Sequence, residues 1–231
     1  MPGGQPVSNA RFTASDPSSL PTAFDLGNTR AWGVGLFPLG WAKFVSAPAA
    51  ELANKVMDGE QEPAFAEFSS ITNQLFECEA DDDREYRIIM DYFLSRNRPH
   101  RNEARIMAVH AALVDPAVST VTALADHAGV EPRTLERLCH RVFGFAPKNL
   151  LRRQRFMRSL AAFMMGDSPN WTSAIDEHYH DQAHFVDEFR TFMTMSPSEY
   201  AGLDHPILRA FMAERARIWG SPAQTLDRPR A

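Results

Sequence analysis

Residues 121–200 hold two copies of one unit, fifty residues apart, and this repeat limits the fold more than any other feature of the chain. The first copy is VTALADHAGVEPRTLERLCHRVFGFAPKNLL and the second is WTSAIDEHYHDQAHFVDEFRTFMTMSPSEYA. At that offset Leu135 aligns with Phe185, Cys139 with Phe189, Gly144 with Thr194 and Pro147 with Pro197. Each copy reads as a short helix, a tight turn, a second amphipathic helix and a turn ending in proline. That is the pattern of a helix-turn-helix, whose second helix is shaped to enter a DNA major groove. A fixed-offset repeat seldom arises by chance.

Local signals fill in the first copy. Ser119 or Thr120 caps a helix over 121–128, with Val121, Leu124 and Ala125 facing inward. Gly129 supplies the backbone freedom of the turn, and Pro132 suits a first helical position. Leu135, Leu138, Cys139 and Val142 form the buried stripe of the next helix. Arg133, Thr134, Glu136, Arg137 and His140 stay on its outer face. Pro147 opens a long helix to about Met165, with an apolar face of Leu150, Leu151, Phe156, Leu160, Ala161 and Phe163 or Met164. That face is broad enough to touch both units. A turn over 166–170 precedes the second copy, which opens at Trp171. Residues 205–219 read as a final amphipathic helix, and 220–231 as frayed.

The N-terminal part reads differently. Residues 1–28 are rich in Pro, Gly, Ser and Asn and are expected to be a loop or leader. Trp32, Val34, Leu36 and Phe37 fall near period two, which predicts a strand. Pro38, Leu39 and Gly40 then form a turn and 41–45 a returning strand. Three helices are expected next, over 46–57, 63–76 and 84–96. The second places Phe65, Phe68, Ile71 or Thr72, and Leu75 on one face. Acidic residues in 77–83 complement the positive end of the third. Residues 97–100 read as a linker stopped by Pro99. A helix over 101–114 follows, with Ala104, Met107, Ala111 and Leu113 or Val114 inward. The expected fold is mainly α: a small α+β N-terminal part, and a double helix-turn-helix C-terminal domain of about seven helices. The expected divisions are 1–28, 29–98 as a truncated regulatory or dimerisation region, 101–205 as the double helix-turn-helix domain, and 206–231 as a helix and tail.

A net charge of −5 argues against a polyanion as partner until its distribution is considered. Residues 1–100 carry 8 basic and 14 acidic side chains, so the acidity sits there. Residues 132–158 carry Arg133, Arg137, Arg141, Lys148, Arg152, Arg153, Arg155 and Arg158 against the single acid Glu136. Local charge decides where a polyanion docks.

No apolar run approaches the ~20 residues of a membrane span, and the first residues lack the pattern of a secretory signal. Two cysteines fit a reducing cytosol, so a cytoplasmic protein is expected. Cys139 lies on an apolar stripe and reads as core, while Cys78 sits among acids that disfavour a thiolate. His178, His180 and His184 lack the Glu or Cys that would complete a metal set. No nucleophile elbow, P-loop or dinucleotide fingerprint occurs. No enzyme activity, cofactor or metal is therefore expected.

The motifs LADHAGVEPRTLERL, RRQRF and DQAHFVDEFRTFMTMSPSEY resemble the DNA-binding domain of AraC-type transcriptional regulators over roughly residues 101–203. The resemblance implies seven helices, with two helix-turn-helix motifs joined by one helix. It implies sequence-specific binding to double-stranded promoter DNA, with activation or repression. RNA polymerase and a second copy of the chain are compatible partners, and no effector is implied by name. Carried over by position, Arg133, Glu136 and Arg137 would face bases from the first recognition helix. Gln182, Ala183, Val186 and Asp187 would do so from the second. Lys148, Arg152 and Arg190 would hold phosphates, and Thr134, His140 and Arg141 complete the expected set. Three departures stand out. His178 occupies a place where a turn glycine is usual. Asp187 and Glu188 bring acid where basic or neutral contacts are common. The region before residue 100 has one expected hairpin, too little for a β-barrel sensor. The rival reading is an interaction module of this fold without DNA binding.

Overall fold

Proline and asparagine decide where the N-terminal elements start and stop. The computed structural model describes residues 10–15, 17–22, 30–76, 78–166 and 170–229. Over these the chain is mainly α with one two-stranded sheet. The described residues fall into two compact units. The first takes those of Met1–Ser18, Leu36–Ile106 and Leu138–Phe145, the second those of Ser19–Gly35, Met107–Arg137 and Ala146–Ala231.

The first unit holds β1 (Thr13–Ser15), α1 (Pro38–Phe44), α2 (Ala49–Leu52), β2 (Val56–Asp58), a 3-10 segment (Pro63–Phe68), α3 (Ser69–Leu75) and α4 (Asp82–Arg96). The hairpin expected over 29–44 does not form among the described residues. Val34 is 51% exposed, so that stretch lacks a buried face to hold a strand. Pro38 instead begins α1, where its fixed φ and missing N–H suit the first turn. Trp41 of α1 is buried and its indole N–H donates to the Ala47 carbonyl at 2.9 Å. The helix expected over 46–57 shrinks to the single turn of α2. Ala53 is extended and Asn54 takes a left-handed φ of 61°, which breaks the helix and turns the chain into β2.

The sheet pairs β2 antiparallel with β1, Thr13 opposite Asp58 and Ser15 opposite Val56. Thus a strand lies inside the expected leader, whose residues 1–9, 16 and 23–28 fall outside the described residues. Phe65, Phe68, Ile71, Thr72 and Leu75 are all buried, as their spacing predicts. Asp81 caps α4 by accepting from the Arg84 N–H at 3.0 Å, the role foreseen for the acidic run.

α5 (Glu103–Val114) crosses the division between the units. Its expected inner face is right at Leu113 and Val114, which are buried, but Ala104 and Ala111 are exposed, and Ile106, Val109 and Ala112 are buried instead. Alanine carries too little apolar area to set the face against isoleucine, valine and leucine.

The second unit continues with α6 (Val121–Ala128) and α7 (Pro132–Leu138), which runs on into one π turn (Cys139–Phe143) of the first unit. α8 (Pro147–Met165), α9 (Trp171–Ala174), α10 (Gln182–Met193), α11 (Pro197–Ala201) and α12 (Pro206–Trp219) complete it, with a 3-10 turn at Gln224–Leu226. Its core gathers Phe156, Leu160, Phe163 and Met164 of α8 with Phe185 and Phe189 of α10, Tyr179 and Tyr200. Trp171 stacks on Phe163 at 3.8 Å and donates to the Pro197 carbonyl at 2.8 Å, which ties α9 to α11. Residues 167–169 of the turn after α8 lie outside the described residues. Val121, expected inside, is 36% exposed at the start of α6.

The tail is not frayed over 220–229. Gln154 donates to the Thr225 carbonyl at 2.8 Å, and buried Asp227 pairs with Arg215. A side chain on Gly35 would meet the Gln224 side chain, so glycine leaves room for that amide.

Candidate nucleic-acid interface

The two copies repeat in three dimensions what they repeat in sequence. Leu135 and Phe185 are buried, and so are Cys139 and Phe189. Gly144 and Thr194 both adopt the left-handed conformation, at φ 86° and 58°. Pro147 and Pro197 both open helices and are both buried. The caps also correspond in kind. The Thr120 hydroxyl accepts from the Ala123 N–H at 3.1 Å, and Asp181 accepts from the His184 N–H at 2.7 Å.

The turns between the helices are built differently. The first uses Gly129 at φ 62°, whose N–H closes α6 on the carbonyls of Ala125 and Asp126. The second has no glycine and is organised by Asp176. Its Oδ1 accepts from the backbone N–H of His178 at 3.0 Å and lies 2.9 Å from His178 Nδ1. Its own N–H donates to Ser159 Oγ at 2.9 Å, and Oδ2 accepts from Arg158 Nε at 2.5 Å. Burial opposes the charge of Asp176, but Arg158 and His178 outweigh it and hold its pKa below the ordinary value. An aspartate thus replaces the left-handed glycine by binding its own backbone two residues on.

The outer faces carry most of the expected contact residues. Arg133, Glu136, Arg137, His140 and Arg141 are exposed and Thr134 is half-buried. On α10, Gln182, Ala183, Asp187 and Arg190 are exposed. Val186 is half-buried and packs against the aromatic core, so it offers only part of its surface. His178 and His180 lie in the turn, and only His184 sits on α10.

Glu188 does not join Asp187 on the outer face: it is 2% exposed. Arg152 Nε donates to its Oε1 at 2.7 Å. Arg155 Nε donates to Oε2 at 3.2 Å, and its Nη2 to both oxygens at 2.8 and 2.9 Å. Burial pushes the Glu188 pKa up, yet hydrogen bonds from Arg155 and Arg152 prevail and hold it below the ordinary value. Arg155 also donates to the His178 carbonyl at 3.3 Å and lies over the Tyr179 ring at 4.4 Å. Burial, then the neighbouring Glu188 carboxylate, raise the Tyr179 phenol.

Above this cluster opens a cleft of about 530 Å³. Lys148, Arg152, Arg155 and Arg158 of α8 line one side, Ser119, Thr120 and Val121 at the start of α6 another, with His178 and His184. Lys148, Arg152 and Arg155 follow at helical spacing i, i+4, i+7, so one face of α8 is basic. Of the expected residues, this cleft brings together Lys148 and Arg152.

Residues 124–202 match the family model described as a helix-turn-helix domain. They form an AraC-type helix-turn-helix domain. No curated protein and no solved structure matches the chain. The AraC-type domain is a DNA-binding one, and its family is not a family of enzymes. Within it the residues missed by sequence reasoning are Glu188, Arg155 and Asp176, which act together beneath the cleft. The repeat itself held the signal for Glu188: its partner at offset fifty is Leu138, a buried stripe position.

Proposed function

We propose that the chain is a transcription regulator that reads double-stranded promoter DNA with α7 and α10 in successive major grooves. The observation that carries this is the equivalence of the two copies. Buried, left-handed and proline positions recur at offset fifty, and each copy leaves an exposed polar helix face. The proposed DNA-binding domain covers 101–205. Arg133, Glu136 and Arg137 read bases from α7, Gln182, Ala183 and Asp187 from α10, with Val186 contributing its exposed part. Arg pairs with guanine O6 and N7, and Gln with adenine N6 and N7. Thr134, His140 and Arg141 flank the first set. Lys148, Arg152 and Arg190 hold phosphates, which fix register. RNA polymerase and a second copy of the chain are the protein partners compatible with this role.

Selection of bound sequences from random duplexes tests the proposal. The wild-type chain should yield a consensus, with a log–log salt slope of roughly −4 to −6 at ~0.9 per neutralised phosphate. Arg137→Ala should lose preference at one base position and weaken specific binding by about 1–3 kcal/mol. An unchanged consensus in that variant would remove Arg137 from the reading set. A second reading, an interaction module without DNA binding, draws on the exposed acid Asp187 and on the engagement of Arg152, Arg155 and Arg158 by carboxylates. A salt-independent response to duplex would favour it.

A further inference from the structure

The cleft over Glu188 has a feature that the first copy lacks. A carboxylate stands at an apolar position of the repeat, and two guanidiniums are fixed to it. They are fixed unequally. Arg155 spends Nε and both terminal nitrogens on Glu188, His178 and His184. Arg152 spends only Nε on Glu188, and its two terminal nitrogens have no hydrogen-bond partner among the described residues. Lys148, one turn earlier on the same face, is exposed and has no partner among the described residues either. Across the cleft Thr120 caps the Ala123 amide of α6, and the Val121 and Thr122 amides ahead of it have no intrahelical acceptor. Glu188 is therefore spent on the guanidiniums, and the open donors of Arg152 and Lys148 line the cleft.

We propose that this cleft binds a phosphate group, with Glu188 as the positioning residue that holds Arg152 with its open fork toward the anion. Lys148 adds a point charge, and the first amides of α6 close the far side. A guanidinium held by one edge keeps its other edge for a bidentate contact to two phosphate oxygens. The same chemistry serves a phosphate of the DNA backbone or a free phosphoanion. The proposal rests on the DNA-binding reading only for the first of these sources.

The test uses the full chain, with inorganic pyrophosphate and a duplex as probes. The Arg152 Nε–Hε resonance should be dispersed in the free protein and shift saturably with pyrophosphate. Arg152→Ala should weaken pyrophosphate about tenfold and make the duplex salt slope shallower by about one. Glu188→Gln separates positioning from charge. It removes a negative charge below the cleft, so charge alone would tighten anion binding, whereas loss of positioning weakens it severalfold. Glu188→Asp should recover part of the loss. Tighter pyrophosphate binding by Glu188→Gln overturns the positioning role. If that variant does not fold, a mobile Arg152 resonance that ignores pyrophosphate in the wild-type chain, with a duplex slope unchanged in Arg152→Ala, overturns the site. Such a result with normal duplex affinity leaves DNA binding intact. A pyrophosphate shift in a chain that binds no duplex retains the site, with a free phosphoanion as its ligand, and removes the DNA-binding reading. A slope change without a pyrophosphate shift assigns the site to the DNA backbone.

Discussion

Leu138 and Glu188 stand fifty residues apart in two copies of one unit, and both are buried. A hydrocarbon in one copy is thus matched by a carboxylate in the other, neutralised by Arg152 and Arg155. A buried carboxylate persists only where its hydrogen bonds are made, since desolvation costs several kcal/mol per ion. Arg155 meets that requirement with bonds to both oxygens.

The cluster's stability follows from the same logic. Glu188→Leu should destabilise the chain by about 3–5 kcal/mol, because it leaves Arg155 charged and largely buried without its acid. The double variant Arg155→Leu with Glu188→Leu should recover most of that loss, since neither charge then remains inside. Urea unfolding of the two single variants and the double variant gives the coupling directly. Additive losses would mean that the pair is not coupled as its geometry requires.

The left-handed positions give a second test. Thr194 is β-branched and sits at φ 58°, where its partner in the first copy is Gly144 at φ 86°. A non-glycine residue there costs about 1–2 kcal/mol. Thr194→Gly should therefore raise stability by about 1 kcal/mol, less than the full strain because glycine also loosens the unfolded chain. Gly144→Ala should destabilise, both through its φ and because a Cβ there would lie 2.9 Å from Pro17 Cβ. Thermal unfolding of both variants checks the opposite signs.

These cases also mark what the sequence made legible. The C-terminal repeat was readable because a period of fifty carries its own internal control: buried Leu135 predicts buried Phe185, and Gly144 predicts the backbone of Thr194. The N-terminal part had no such control. Trp32, Val34 and Leu36 alternate without packing as a strand, and a three-residue β1 has too few positions to show any period. The outer side chains of α7 and α10 were legible as an exposed face. The paired arginines were not, because a basic run looks the same whether its charges meet solvent or a carboxylate 33 residues away, as Arg155 and Glu188 do.

His110 supplies a pH dependence. Its ring is 5% exposed, and burial lowers its pKa from 6.5 to about 4, against a smaller opposing pull from Asp227. Because the folded value is depressed, the unfolded chain takes up the proton first. Stability is full above the unfolded pKa and falls as pH drops from about 6.5 toward 4, by about 3 kcal/mol at 1.36 per unit. Glu188 and Asp176 also have depressed pKa values, so their contributions are lost at lower pH, below the ordinary carboxylate range. Urea unfolding of wild type and His110→Gln between pH 7 and pH 4.5 isolates the histidine. The gap between the two curves should change over that window, and parallel curves would show that the ring is solvated.

Asp187 is the remaining acid on the outer face of α10, at the place taken by Arg137 in the first copy. A groove lined by phosphates repels a carboxylate there unless it accepts from a cytosine N4 amine. With Glu188 buried, Asp187 is the acid of α10 that a DNA groove would meet under the proposed function. The first copy should then supply most of the sequence discrimination, and the second should mainly anchor. Asp187→Arg converts a repulsion into an attraction, so random duplexes should bind more tightly and with a salt slope steeper by about one. If Asp187 instead reads cytosine, the same change should weaken the selected site and alter its consensus at one position. Titrating both proteins against selected and random duplexes at two salt concentrations decides between the outcomes. Equal binding by variant and wild type to both duplexes would place Asp187 outside the groove, and α10 would then not be the second reading helix.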